Sequence, residues 1–132
     1  MSRFMLDTNT VSHLLRKHPT VSKRVMRQPM ASLCISAITE AELLFGLAKR
    51  PDAKQLHLAV YEFLRRVDVL QWDSAAAEHY GITRALMEKR VKSLSPFDML
   101  IGSHALSLKL MLVTNDQAFS HMADLQIEDW TV

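Results

Sequence analysis

The hydrophobic positions of this chain fall into two alternating kinds of segment. Short apolar runs of four or five residues predict β-strands. Two of them, RFML and LMLVT, are almost wholly apolar, which is typical of central strands in a parallel sheet. The predicted strands are RFML (3–6), SLCIS (32–36), VDVL (67–70), LMLVT (110–114) and LQIED (125–129).

Longer segments with helical spacing lie between these runs. In KQLHLAVYEFLRR, for example, Leu56, Val60 and Phe63 recur at intervals of three and four residues and share one face of a helix. Strands that alternate with helices predict an α/β fold, with a mostly parallel sheet covered by helices on both faces. The helical segments are ITEAELLFGLAKR (38–50), KQLHLAVYEFLRR (54–66), SAAAEHYGITRALMEKR (74–90) and SPFDMLIGSHALSLK (95–109).

Length and composition predict one soluble domain over residues 1–132, since 48% of the residues are hydrophobic and 23% are charged. A net charge of +2 is compatible with a nucleic-acid partner without indicating one. The scattered glycines do not form a phosphate-binding loop. The single cysteine, Cys34, predicts a buried thiol in a reducing compartment. With no signal peptide or spanning segment in view, we expect a cytoplasmic protein.

Four acidic residues occupy comparable places in this pattern. Asp7 ends the first strand and Asp116 follows LMLVT, while Glu42 and Asp98 lie in the first turns of helices. In a parallel α/β sheet, the carboxyl ends of the strands and the starts of the following helices meet at one edge, where such folds place their sites. We therefore expect these four side chains to converge.

Each acid also has a purely structural interpretation, namely helix capping. SPFD (95–98) fits a capping box with Ser95 as N-cap, and TEAE (39–42) has the same S/T-x-x-E form. Asp7 and Asp116 would each satisfy free backbone N–H groups at a helix start. Capping does not require all of them to lie at one edge of the sheet, so the functional interpretation stays open beside it.

Clustered carboxylates repel one another unless a cation neutralises them. Mg²⁺ and Mn²⁺ prefer oxygen ligands, whereas zinc favours the His and Cys sets that this sequence lacks. A divalent ion in an acidic site can activate water and stabilise charge on a phosphate. The pattern thus predicts metal-dependent phosphodiester hydrolysis.

These segments resemble the PIN-domain ribonucleases, specifically the VapC-type toxins of bacterial toxin–antitoxin pairs. The resemblance covers nearly the whole chain, in four segments that occur in the family's order. The segments are FMLDTNTVSHLLR, CISAITEAELLFGLAKR, SPFDMLIGSHALSLKLMLVTND and LQIEDW.

The resemblance implies a three-layer PIN-like fold with four to five strands and an Mg²⁺- or Mn²⁺-dependent endoribonuclease. Asp7, Glu42 and Asp98 match the acids with which the family holds metal, and Asp116 matches the fourth position, where many relatives carry Asn. Glu40 is a rival for the second position, but the E-L-x-x-G register favours Glu42. Hydrogen bonds from Thr8, Asn9 and Thr114 are expected to orient these carboxylates.

The same resemblance implies an RNA substrate, with a tRNA anticodon stem-loop as the expected target, and a VapB-type antitoxin. Helices near 37–49 and 52–66 are expected to form an apolar groove for an antitoxin helix, or the face of a homodimer. Basic residues near the acidic edge are candidates for contacts with the RNA backbone. They are Arg16, Lys17, Lys89, Arg90 and Lys92.

Two other functions are compatible with parts of the pattern. DTNTV loosely resembles the motif of aspartyl-phosphate phosphatases, but Asn9 stands where that chemistry needs a proton-donating acid. A catalytically inactive PIN-like module that binds RNA or protein is the other alternative, although this chain retains all four acids. His104, on an apolar helix near Asp98, is interpreted as a packed residue rather than a catalytic base.

Overall fold

The structure is a computed structural model that describes residues 2–90 and 94–132. Within these ranges, five strands form one sheet in which every neighbouring pair is parallel. The strands are β1 (Phe4–Leu6), β2 (Leu33–Ser36), β3 (Asp68–Leu70), β4 (Met111–Val113) and β5 (Ile127–Glu128), and their order across the sheet is β3-β2-β1-β4-β5. The predicted parallel α/β sheet is confirmed, and β1 and β4 are interior strands, as their apolar sequences indicate.

Six α-helices connect these strands in the described part of the chain, and two short 3₁₀ helices lie at Met30–Ser32 and Gln117–His121. Helix α4 has the bounds that its periodicity predicts. The apolar pattern does not predict helix α2. Two of its eight residues, Val21 and Val25, are buried, which is too few to give a periodic signal. The helices are α1 (Thr8–Leu15), α2 (Pro19–Met26), α3 (Ala37–Ala48), α4 (Lys54–Arg66), α5 (Ser74–Glu88) and α6 (Pro96–Ser107).

The sheet separates two hydrophobic clusters, which makes three layers. Alternate residues of a strand point to opposite faces, so Phe4 and Leu6 pack with residues of α1 to α4 on one face. Met5 and Cys34 pack on the other face with residues of α6 and the segment Phe119–Met122. The three-layer arrangement expected from the resemblance is therefore present.

Helix α3 follows β2 without a loop, and this contradicts one of the predicted caps. Ser36, the last residue of β2, is the N-cap and accepts a hydrogen bond from the Ile38 N–H at 3.1 Å. The interpretation of Thr39 as the cap of TEAE is wrong, because Thr39 is already buried inside the helix. Glu42 consequently lies in the second turn of α3 rather than in its first.

Among the described residues, none of the helices has the length and apolarity that a bilayer-spanning segment requires.

Candidate active site

Asp7 lies at the centre of the acidic edge, directly after β1. Its backbone N–H donates to the Val113 carbonyl at 3.1 Å, which continues the pairing of β1 with β4. Its Oδ1 accepts from the Thr10 N–H at 2.8 Å, so Asp7 is the N-cap of α1. Asp7 therefore caps α1, as the structural interpretation predicts. The same hydrogen bond fixes its carboxylate at the end of the central strand, where the residue is 2% exposed.

Glu42 reaches the same edge from α3 and is held by Thr8. The Thr8 hydroxyl donates to Glu42 Oε1 at 2.5 Å and lies 3.2 Å from the Thr39 hydroxyl. Thr8 is the residue next to Asp7, so this hydrogen bond joins the start of α1 to the middle of α3. The expected orienting contact of Thr8 is present in the structure.

Asp98 is the third residue of α6, and the predicted cap of this helix is confirmed. Its backbone N–H donates to Ser95 Oγ at 3.1 Å, with Pro96 in the first turn. The Asp98 side chain is partly exposed at this helix start.

Asp116 follows β4 and opens the 3₁₀ helix Gln117–His121. Its Oδ1 accepts from the Ala118 N–H at 2.9 Å, and its own N–H donates to the Thr114 hydroxyl oxygen at 3.0 Å. The Thr114 side chain also hydrogen-bonds to the Asp7 carboxylate. Thr114 therefore bridges the ends of β1 and β4, as expected of an orienting residue.

The pKa values show that the four carboxylates share one electrostatic environment. Burial raises the pKa of Asp98, and the negative charges of Asp7, Asp116 and Glu42 raise it further. Burial likewise raises the pKa of Asp7; hydrogen bonds from Thr114 and Thr10 oppose this shift, and the charge of Asp116 adds to it. Four acids from separate parts of the sequence thus meet at one edge of the sheet, as the topology predicts.

Two other predicted or rival residues lie apart from this contact network. Asn9 is exposed, and its side chain makes no hydrogen bond to another described residue, so the structure does not show the orienting contact expected of it. Glu40 precedes Glu42 by two residues, which rotates it by roughly 200° around an α-helix. Among the acids that act on Asp98 in the structure, α3 contributes Glu42 and not Glu40.

A cleft of about 270 Å³ opens beside the acidic edge, between α1, α3 and α4. Thr8 and Glu42 line one end of it, and Leu43, Leu47 and Val60 form apolar walls. A groove between the segments 37–49 and 52–66 is therefore present, and it reaches Glu42.

The predicted basic residues are distributed unevenly around this cleft. Arg16 lines it, whereas Lys17 is exposed just beyond α1 in a left-handed conformation, with φ 62°. Lys89 and Arg90 are exposed at the end of α5, where Arg90 donates to the His121 carbonyl at 3.0 Å. Lys92 lies outside the described residues.

The prediction missed two further cations, Lys49 and Arg50, which line the cleft together with Arg16. The signal was available in the sequence. In a helix that reaches Arg50, as the sequence predicts, residues seven and eight positions after Glu42 return to its face, as does Gly46 at four positions. In the structure α3 ends at Ala48, with Lys49 as its C-cap and Arg50 just beyond. A basic rim on an acid-bearing helix face could have been read from this spacing.

Cys34 and His104 are buried, as predicted. Burial raises the pKa of Cys34 to about 11 and lowers that of His104. The Nδ1 of His104 lies 2.8 Å from Ser36 Oγ. Neither group touches the acidic edge.

The PIN domain family matches residues 4–125. A protein of Shigella flexneri named "tRNA(fMet)-specific endonuclease VapC" is 37% identical over 99% of this chain and 100% of its own. "Ribonuclease VapC2" of Haemophilus influenzae strain Rd is 33% identical over 98% of this chain and 99% of its own. The VapC of the DNA-bound VapBC crystal structure from Salmonella typhimurium superimposes with a TM-score of 0.91 at 34% identity, covering 98% of this chain and 99% of the other.

The family match covers most of the chain, the relatives match it from end to end, and the similar solved structure agrees with its three-layer fold. This chain belongs to the PIN-domain family, and within it to the VapC group.

Proposed function

We propose that this chain is a metal-dependent endoribonuclease toxin that hydrolyses RNA phosphodiester bonds. The observation that carries the proposal is the convergence of Asp7, Glu42, Asp98 and Asp116, in which burial and the charges of its three acidic neighbours raise the pKa of Asp98. The names of the relatives, endonuclease and ribonuclease, support the same reaction class. We assign the four acids as the catalytic and metal-holding residues.

The acidic edge suits a hard divalent cation. All four candidate ligands offer carboxylate oxygens, which Mg²⁺ and Mn²⁺ prefer, and burial makes their unneutralised charge costly. In the described part of the chain, no three acidic, histidine or cysteine side chains approach closely enough to bind one ion together. Mg²⁺ is commonly bound through one or two carboxylates, with water and substrate phosphate as its other ligands. The arrangement fits an ion of this kind.

Such an ion, when bound, lowers the pKa of a water molecule and offsets charge on the attacked phosphate. The contribution of the chain is to hold and orient the acids. Thr8 fixes Glu42 through its hydroxyl, and Thr114 joins Asp7 to the backbone of Asp116. Because these hydrogen bonds come from neighbouring secondary-structure elements, the site is assembled before substrate arrives.

We propose tRNA as the substrate, with cleavage in the anticodon stem-loop and arrest of translation as its consequence. The support is the name of the Shigella flexneri relative, which describes that protein as tRNA(fMet)-specific. Among the cations, Arg16, Lys49 and Arg50 are the best placed to contact the RNA backbone, because they line the cleft that ends at Glu42. Lys17, Lys89 and Arg90 are more peripheral candidates, and Lys92, outside the described residues, stays a candidate from the sequence alone.

The partner that we propose for the cleft is a VapB-type antitoxin segment. Solved structures similar to this chain are VapBC complexes from Salmonella typhimurium and Rickettsia felis. Leu43, Leu47 and Val60 offer an apolar surface to a peptide, and Glu42 at one end of the cleft places such a peptide next to the acids. A segment bound there would block the site directly.

We also propose that residues 1–132 form one domain that acts in the cytoplasm as a homodimer. Exposed apolar side chains on the two helices beside the cleft support a protein contact at this face. Sedimentation velocity at micromolar concentration would distinguish a dimer from a monomer. These side chains are Leu44 and Phe45 of α3 and Leu58 and Tyr61 of α4.

The nuclease proposal is tested by cleavage of total tRNA with Mn²⁺, with Mg²⁺ and with EDTA. We compare the wild type with Asp98→Asn and with the control Asp73→Asn, which also replaces an acid at a helix start but lies at the N-cap of α5. We expect cleavage by the wild type and the control, and its loss with EDTA or in Asp98→Asn. Equal cleavage by all three proteins would contradict the site, and no cleavage by any of them would favour the inactive binding module.

The antitoxin site is tested with a pair of glycine substitutions. Gly46 lines the cleft, and a Cβ added there meets nothing within 4 Å, which is also true of Gly81 on α5. Gly46→Gln should therefore fill the cleft without disturbing the core, and Gly81→Gln is the matched control. We expect a co-expressed VapB-type antitoxin to be retained by the control and lost by Gly46→Gln; retention by both would refute this location.

A further inference from the structure

His104 and Ser36 form a buried hydrogen bond between the two helices that carry Glu42 and Asp98. His104 lies in α6 and is 1% exposed, and Ser36 is the fully buried N-cap of α3. The distance from His104 Nδ1 to Ser36 Oγ is 2.8 Å. Within the described residues, this is the side-chain hydrogen bond that links α6 to α3 and its cap.

The hydrogen-bonding pattern defines the roles of both groups. Burial lowers the pKa of His104, so the ring is neutral, with one donor and one acceptor nitrogen. The backbone of Gln71 opposes this shift in the pKa of His104, as a carbonyl facing Nε2–H would. Nδ1 is then the acceptor and receives the Ser36 hydroxyl proton, while Ser36 Oγ accepts from the Ile38 N–H at 3.1 Å.

The hydrogen bond between Ser36 and His104 is separated by the same number of residues from Glu42 and from Asp98. Ser36 precedes Glu42 by six residues and His104 follows Asp98 by six, which corresponds to about 9 Å along each helix axis. Carboxylates that lie at one edge repel each other unless a cation neutralises them. A contact that holds α3 and α6 together therefore opposes the separation of the two carboxylates.

We propose that His104 is a positioning residue, whose hydrogen bond to Ser36 holds the Glu42-bearing and Asp98-bearing helices at the spacing that the metal-dependent reaction needs. This inference rests on the proposed nuclease function. In this role His104 contacts neither the RNA nor the metal ion.

Two substitutions separate the two hydrogen bonds of the ring. The amide oxygen of His104→Asn occupies roughly the position of Nδ1 and can still accept from Ser36, whereas His104→Gln places its NH₂ group near Nε2 and retains the Gln71 bond alone. Ser36→Ala removes the same bond from the other partner, together with the cap of the Ile38 N–H. The control is Ser32→Ala, which deletes another buried hydroxyl at the opposite end of β2, where it donates to the Pro29 carbonyl at 2.7 Å.

The readouts are the dissociation constant for Mn²⁺ without RNA, from the electron paramagnetic resonance signal of free Mn²⁺, and kcat and KM for tRNA cleavage. All are measured at least 15 °C below each variant's own thermal midpoint. Since misplacement by 1 Å can cost about 100-fold in rate, we expect His104→Gln and Ser36→Ala to weaken Mn²⁺ binding and lower kcat about tenfold or more. His104→Asn and Ser32→Ala should stay within about twofold of the wild type.

The comparison remains decisive if one variant does not fold, since Ser36→Ala and His104→Gln test the same bond from its two ends. Equal Mn²⁺ affinity in His104→Gln, Ser36→Ala and Ser32→Ala would overturn the inference and leave the nuclease proposal intact. Equal losses in His104→Asn and His104→Gln would also overturn it, because the Ser36 bond would then not be the cause. A wild type that neither binds Mn²⁺ nor cleaves RNA would contradict the proposed function itself.

Discussion

Replacing Gly102 by alanine tests how closely α6 must approach the segment that follows Asp116. A Cβ at this position would lie 2.6 Å from Met122 Sδ, 2.9 Å from Met122 Cε and 3.2 Å from Phe119 Cε1. Ordinary contacts begin near 3.5 Å, so the sulfur must move by about 1 Å and the ring by a few tenths. The Phe119 N–H donates to the Asp116 carbonyl at 3.3 Å, which connects the ring to the fourth acid.

The free energy of unfolding combines two opposing effects. Alanine gains about 1 kcal/mol over glycine inside a helix, whereas overpacking a core costs about 1–3 kcal/mol. Because Met122 is flexible, we expect the lower end of that cost, and a net change near zero. Gly81→Ala is the matched control in α5, where an added Cβ meets nothing within 4 Å, so it should show the helical gain alone.

Urea unfolding followed by circular dichroism measures this difference, and tRNA cleavage measures its effect on the site. Gly81→Ala should be the more stable variant by about 1 kcal/mol, or roughly 4 °C in thermal midpoint. Gly102→Ala should lose activity several-fold, less than the roughly 100-fold cost of a full 1 Å misplacement. Equal stabilisation and unchanged activity in both variants would refute the close packing of α6 against Phe119 and Met122.

Three further predictions concern the acidic edge and the core. Thr8→Val removes the hydroxyl that donates to Glu42 and should weaken Mn²⁺ binding about tenfold, whereas Thr8→Ser should retain it; equal losses would contradict the orienting role. The pKa values of Asp7 and Asp98 are raised above 3.8 in the folded state, so without metal their ionisation lowers stability as the pH rises through the folded values. Bound Mn²⁺ requires the ionised forms, and the increase in thermal midpoint that it causes should therefore grow with pH over that window; an increase independent of pH would contradict this linkage. Cys34, with a pKa of about 11 in the core, should react with Ellman's reagent no faster than the protein opens, so rapid labelling of the native state would contradict its burial.

The fold follows closely from the period of the apolar residues. Successive residues of β1 point to opposite faces of the sheet, so Phe4 and Leu6 join one hydrophobic cluster and Met5 joins the other. The segment with helical spacing at residues 54–66 has the same bounds as α4. Helix α2 was missed because it lies over the edge of the core with two buried valines, too few to produce a periodic signal.

The acids of the site were also accessible from the sequence, because parallel topology brings strand ends and helix starts to one edge. Details that depend on the junction between a strand and the following helix were not accessible from the sequence. Ser36 ends β2 and caps α3 at once, which moves Thr39 inside the helix and Glu42 into its second turn. The Thr8–Glu42 and His104–Ser36 contacts join residues more than thirty positions apart, and no local pattern encodes such pairs.

Anomalous diffraction from crystals soaked in Mn²⁺ would show where the protein binds the ion. We expect a manganese peak at the edge of the sheet where the carboxylates of Asp7, Glu42, Asp98 and Asp116 converge, and a much weaker peak in Asp98→Asn. A peak at another place, or the same peak height in both proteins, would contradict the assignment of this edge as the metal-dependent active site.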